Sequence, residues 1–223
     1  MTARFLVLPA ILLLLLGCNT KNSNTAGNDS TGNASRNDTS LSTGSDTGIH
    51  SSPSIKNDSS LLALSNSILL LIKKQELSKL SSFIHPQLGI RFSPYGVVDT
   101  VKNQRLSKEA FTNLITNKKA INWGTSAGTG EPITSNLKDY FKKFVYDADF
   151  VNAEQKSVNK IVGRDSLSGN IASVYADCNY TQFYFSGFNK KYEGMDWKSL
   201  VLVFNRINGQ PFLVAIVHDQ WKG

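Results

Sequence analysis

The chain has 223 residues, a formal net charge of +7 and two cysteines. That length suffices for one domain with a proper core plus flanking segments. Two cysteines exclude a disulfide-stapled scaffold. The basic excess does not read as a nucleic-acid surface, because lysines come singly or in pairs (Lys73-Lys74, Lys118-Lys119, Lys142-Lys143, Lys190-Lys191) without interleaved aromatic residues.

Met1–Arg4 carries one positive charge, Phe5–Leu16 is an almost unbroken apolar run, and Gly17 and Cys18 follow. The run is shorter than the about twenty residues of a membrane-spanning helix. Charge, apolar run and small residue before a cut are the layout of a secretory signal. With a cysteine directly after Leu15-Leu16-Gly17, the segment resembles a bacterial lipoprotein signal. The resemblance implies that residues 1–17 are removed and that Cys18 receives a diacylglycerol thioether and becomes the acylated first residue. It places the protein in the bacterial cell envelope, facing outside the cytoplasm. Each buried methylene contributes about 0.8 kcal/mol, so two or three acyl chains hold firmly where one does not.

Residues 18–60 are dominated by Ser, Thr, Asn, Gly and Asp and contain no aromatic residue. Such a segment cannot bury enough surface to offset the entropy of ordering. It reads as a tether with a root-mean-square reach of about 35 Å. The Asn-x-Ser/Thr sequons at Asn28, Asn33, Asn37 and Asn57 follow from this composition. Residues 61–223 hold all the Trp and Tyr and the whole net charge of +7, and read as a single domain. A basic domain on a membrane tether suits anionic envelope material.

Within that domain Ser59 or Ser60 is expected to cap a helix carrying Leu61, Leu64, Ile68, Leu71 and Ile72 at helical spacing, with Lys73 and Lys74 at its end. Gln75-Glu76 opens a second short helix with Leu77, Leu80 and Ile84 inward. Gly89–Ser93 alternates as a strand, Ile90 and Phe92 on one face and Arg91 on the other, before a Pro94-Tyr95-Gly96 turn. Ser107 is placed as the cap of a third helix that buries Ala110, Phe111, Leu114 and Ile115. Ile121–Gly124 is extended, and the loop with Gly124, Gly128 and Gly130 reads as a turn, since it lacks the pattern that cradles phosphates. Thr134 or Ser135 is expected to cap a helix with Leu137, Tyr140, Phe141 and Phe144. Tyr180–Phe185, Asp196–Arg206 and Pro211–Asp219 are strands, the last two joined by an Asn208-Gly209 type I′ turn. In the last strand, strict alternation puts Phe212, Val214, Ile216 and His218 on one face and Leu213, Ala215 and Val217 on the other. Both faces are apolar, as in a strand inside a packed sheet.

Helices first, then a strand, a helix and a closing antiparallel run give an α+β class, with N-terminal helices packed on a curved antiparallel sheet. The order is similar to the cone of nuclear transport factor 2-like domains, in which a sheet wraps a helix and leaves a pocket at its open end. The segments FIHPQLGIRFSPYGVVD (83–99), YFKKFVYDADFVNA (140–153), GMDWKSLVLVF (194–204) and FLVAIVHDQW (212–221) resemble an uncharacterised bacterial family of secreted or lipid-anchored envelope proteins. That resemblance implies an envelope location and no particular chemistry. The tail Trp221-Lys222-Gly223 departs from the Trp-Thr-Ile associated with it.

Candidate site residues are His85, Arg91, Tyr95 and His218. The first three gather at one helix-to-strand corner, and His218 is expected to meet Arg91 or Tyr95 at a pocket mouth; together they suit a small anionic ligand. Arg91, between two apolar residues, must reach solvent or an anionic partner. His218 and Asp219 cannot pair within a regular strand. Asp147 and Asp149 are expected to share one face of an extended segment, a spacing that can hold a divalent cation or serve as an acid–base pair; a calcium loop of the EF-hand kind needs more oxygen ligands and a positioned Gly, and capping or turn formation accounts for both aspartates more simply. Nucleophilic catalysis is not expected: with Cys18 acylated, Cys178 is a lone thiol with no nucleophile signature around it. No pattern asks for a metal or another cofactor. The expected function is a noncatalytic envelope domain that binds a small anionic ligand, a cell-wall polymer or an envelope protein, with no nucleic acid. The alternative is a small hydrolase or isomerase with His85, His218, Asp147 or Asp149 as general base.

Overall fold

The computed structural model describes residues 54–163 and 169–221. The signal segment, Cys18 and most of the tether lie outside the described residues. Among those described, no helix is long and apolar enough to cross a membrane.

The element order is α1 (Ser54–Lys73), α2 (Leu77–Leu80), β1 (Ile90–Ser93), β2 (Arg105–Leu106), α3 (Lys108–Asn117), β3 (Ile121–Thr125), β4 (Pro132–Ser135), α4 (Leu137–Phe144), β5 (Gln155–Val158), α5 (Ile171–Val174), β6 (Asn179–Phe185), β7 (Lys198–Ile207) and β8 (Gln210–Gln220). The class is α+β, with helices beside a six-stranded sheet of order β2-β1-β8-β7-β6-β5 and a separate β3-β4 hairpin. The sheet is mixed rather than wholly antiparallel, since β1 runs parallel to β8 (Arg91 beside Ala215, Phe92 beside Ile216). No hairpin joins these two strands, so nothing local fixes their relative direction.

Periodicity locates most elements. Helix α1 starts at Ser54 rather than Leu61, and Ser59 and Ser60 lie exposed within it rather than capping it. Ser107 does cap α3, its hydroxyl accepting from the Ala110 amide at 3.1 Å. The cap of α4 is Asn136, whose side chain accepts from the Asp139 amide at 2.9 Å; Thr134 and Ser135 belong instead to β4. An Asn one residue downstream competes for the same role, and sequence spacing alone does not rank the two. Asn208 and Gly209 have φ of 50° and 82°, the left-handed pair a type I′ turn requires.

One face of the sheet holds the main core: Ile68, Leu69 and Ile72 of α1 and Phe111, Phe141 and Phe144 meet Phe92, Phe183, Leu202 and Ile216. Each such side chain contributes about 2 kcal/mol when fully buried. Trp123 stacks on Tyr140 with centroids 4.1 Å apart, so the hairpin closes this core. The opposite face is covered too: Val201, Val203, Val214, Ala215 and Val217 pack with Val98, Ile171 and Tyr180. Asn170 fastens that cover, accepting from the Val98 amide at 2.7 Å and donating to its carbonyl at 3.0 Å.

The strict alternation expected along β8 fails at a bulge. Val203 pairs with Ala215 and Phe204 with Leu213, leaving Val214 as the extra residue. Leu213 therefore joins Ile216 in the main core, while Val214 and Ala215 both face the other layer.

Candidate functional site

Four side chains expected to converge are distributed over three places. His85 is buried at the corner between α2 and β1. Its Nδ1 accepts from the amides of Gln87 (3.2 Å) and Leu88 (2.9 Å), and its ring meets Phe212 edge-on at 6.0 Å. Burial lowers its pKa, with the nearby Arg105 charge acting in the same direction and an Asn205 hydrogen bond opposing them. The imidazole holds a turn, and burial favours its neutral form.

His218 lies on the main-core face at the end of β8 and is wholly buried. Nδ1 donates to the Pro94 carbonyl at 3.2 Å, and Nε2 lies 3.1 Å from Asp147 Oδ1. Lys198, on β7, bonds the other Asp147 oxygen. Burial pushes the Asp147 carboxyl up, but hydrogen bonds and charge from His218 and Lys198 outweigh it and leave it below the usual value. The His–Asp pair that adjacency with Asp219 ruled out within the strand thus forms with Asp147, across elements. Tyr95 reaches only the rim of this cluster, packing against Phe144 at 6.2 Å.

Asp147 and Asp149 do not share a site. Asp149 turns to α1, where Lys73 Nζ lies 2.8 Å from it, and accepts from Tyr146 and Asn152 at 2.7 and 2.8 Å. The Lys73 hydrogen bond first, then those two, lower its pKa to about 2. Among the described residues no group of three His, Cys, Asp or Glu could hold a metal ion.

Arg91 goes to the other face of the sheet from His218. Its neighbours Ile90 and Phe92 are fully buried in the main core, so pleating sends the guanidinium outward. There it stands directly opposite Arg105 on β2. Arg91 Nη1 donates to the carbonyls of Thr100 and Asn103, both at 2.9 Å, and Arg105 Nε to that of Leu88 at 2.6 Å. Both side chains line a groove of about 230 Å³ with Thr100, Tyr175, Cys178 and Val214. Neither arginine forms a salt bridge among the described residues. Asp99 feels the Arg91 charge, but its Oδ1 already accepts the Val101 and Lys102 amides at 2.9 Å each. The Tyr175 hydroxyl is buried beside Arg91 without a hydrogen bond of good geometry. Burial pushes its pKa up, and Arg91 and Arg105 partly offset this. Burial likewise raises the Cys178 thiol, which accepts a 3.7 Å contact from Asn205; the reactive thiolate is disfavoured.

Sequence spacing could not supply Arg105 or Tyr175 as partners of Arg91. Arg105 sits in a two-residue strand, and Tyr175 follows a one-turn helix without a period. Gly124-Thr125-Ser126-Ala127-Gly128 places a serine at nucleophile-elbow spacing. An elbow needs a strand-to-helix turn. Here the serine sits in the β3–β4 hairpin loop, its amide donating to Glu131 O at 2.8 Å and its carbonyl accepting from Gly130 at 2.9 Å. Both described histidines are engaged elsewhere.

No family model, curated protein or solved structure matches this chain.

Proposed function

We propose that this chain is a bacterial envelope lipoprotein, anchored through Cys18, whose domain binds a small anionic group in the Arg91–Arg105 groove without acting on it chemically. The observation that supports this is the cross-strand pair of guanidiniums in a concave groove with no carboxylate partner among the described residues. Like charges directly opposite one another destabilise a sheet, and an anion between them removes the cost. Backbone carbonyls hold both side chains in place, so little ordering remains to be done on binding. A volume of about 230 Å³ suits a phosphate, sulfate or carboxylate group on a small molecule. The surrounding thiol and phenol are both shifted toward their neutral forms, which favours binding over nucleophilic or general-base chemistry. The lipoprotein-like signal and the four segments that resemble an envelope family support the envelope location.

The test is a thermal-shift and calorimetric screen of phosphate, sulfate, carboxylates and acidic sugars. At least one should stabilise the wild type. Arg105→Ala, at the exposed side of the groove, should weaken that ligand roughly tenfold or more and leave the ligand-free melting temperature nearly unchanged. Arg91→Ala should weaken it as much, but also loosen residues 99–104. If no anion stabilises the wild type, the proposal fails.

A further inference from the structure

We propose that the domain has a second, membrane-facing surface: the β6–β7 loop and the end of β8 dock on an anionic phospholipid bilayer. The inference rests on the reading of Cys18 as a lipid anchor, which would keep the domain near that bilayer.

Half of the eight large apolar side chains exposed in the described domain gather here: Phe188 (54 % exposed), Tyr192 (46 %), Met195 (42 %) and Trp221 (51 %). The others are Leu70 on α1, Leu88 before β1, and Val97 and Val101 in the β1–β2 loop. These four wall a shallow groove of about 390 Å³ whose floor includes Trp197 and Gln220. Phe188 packs on Phe185 with centroids 5.0 Å apart, and Trp197 on Tyr184 at 6.1 Å, so the strand ends support the platform from below. Trp and Tyr rings, apolar in body and polar at one edge, favour the headgroup level of a bilayer.

Charge selects the anionic surface. Lys190 and Lys191 are exposed between Phe188 and Tyr192, and a domain of net charge +7 brings them to negative headgroups. The loop's acids do not cancel them evenly. The Asp196 carboxylate is turned inward, accepting from the Asn189 amide at 2.8 Å, which leaves Glu193 as the exposed one. Lys198, beneath, is committed to Asp147. An apolar partner alone would not call for the lysine pair, and a soluble anion alone would not call for four exposed apolar side chains.

Trp221 is itself the reporter, since Trp123 and Trp197 are buried. The full acylated chain is reconstituted into vesicles of phosphatidylcholine alone or with phosphatidylglycerol, each carrying acyl-chain-brominated lipid, and flotation is read alongside tryptophan emission. The expected result is flotation in both, with Trp221 quenched in the anionic vesicles. That quenching should disappear in Lys190→Glu/Lys191→Glu, and Trp221→Phe should remove most of it, leaving the share of Trp197 at the groove floor. A chain that floats with Trp221 unquenched overturns the docking surface, leaves the anchor standing, and assigns the patch to a protein or glycan. Quenching indifferent to phosphatidylglycerol and to charge reversal overturns it as well. A chain that does not float overturns the anchor and the docking together.

Discussion

Asp147 is the residue on which the end of the sheet depends. From the loop after α4 it reaches two adjacent strands, bonding His218 of β8 and Lys198 of β7 while its side chain is only 12 % exposed. Removing one partner of a buried charge cluster leaves the others uncompensated, at a cost of about 3 kcal/mol. Asp147→Asn should therefore lower stability by that order in chemical denaturation; a loss within error would show the cluster to be dispensable. The pH dependence follows from the same contact. The folded carboxyl lies below its usual value, so the unfolded chain binds the proton more readily. The contribution is complete above about pH 4, the ordinary Asp range, and is lost as pH falls through the lowered folded value. Between those limits the wild type should lose stability more steeply than Asp147→Asn. Asp149, at about 2, shifts in the same sense, but its partner Lys73 is nearly half exposed, so screening makes that pair a minor contributor.

At the scale of elements, the β1–β2 pair sets the two arginines opposite each other, and Gly89 makes that pairing possible. Its φ is +65°, and a Cβ there would fall 2.2 Å from the Leu106 carbonyl oxygen. That neighbour is backbone, so relief requires moving β2 away from β1. Gly89→Ala should cost about 1–3 kcal/mol and speed amide exchange at Phe92, whose N–H bonds the Gln104 carbonyl at 2.9 Å. It should also weaken anion binding, because Arg105 is carried on the displaced strand. Unchanged exchange there would mean that the strands accommodate the methyl group and that the groove does not depend on this close approach.

For the whole molecule, the decisive prediction concerns the anchor. Cys18→Ser should release the protein from membranes or leave it unprocessed, since a serine offers no thiol for the diacylglycerol thioether. Membrane fractionation with fatty-acid labelling checks it, and equal label on wild type and variant would sink the lipoprotein reading.

The sequence by itself determined what depends on neighbours in the chain. The α+β class, the inward faces of α3 and α4, the Asn208-Gly209 hairpin and the outward direction of Arg91 all follow from local spacing and turn chemistry. On α1 the fully buried Leu69 lies outside the expected stripe, and Leu71, inside it, is only partly buried. Only the tertiary structure decided what depends on distant partners. The bulge at Val214 reassigns the faces of β8 because a β-strand has a period of two and one extra residue inverts everything beyond it. The parallel docking of β1 on β8 places Arg91 and His218 on opposite sides of one sheet, so two residues grouped by composition cannot meet. Arg105 comes to face Arg91, and Asp147 to reach His218, only when strands and loops remote in sequence pack together. Side-chain chemistry is written locally, but a site is a set of distances, and those are fixed by packing.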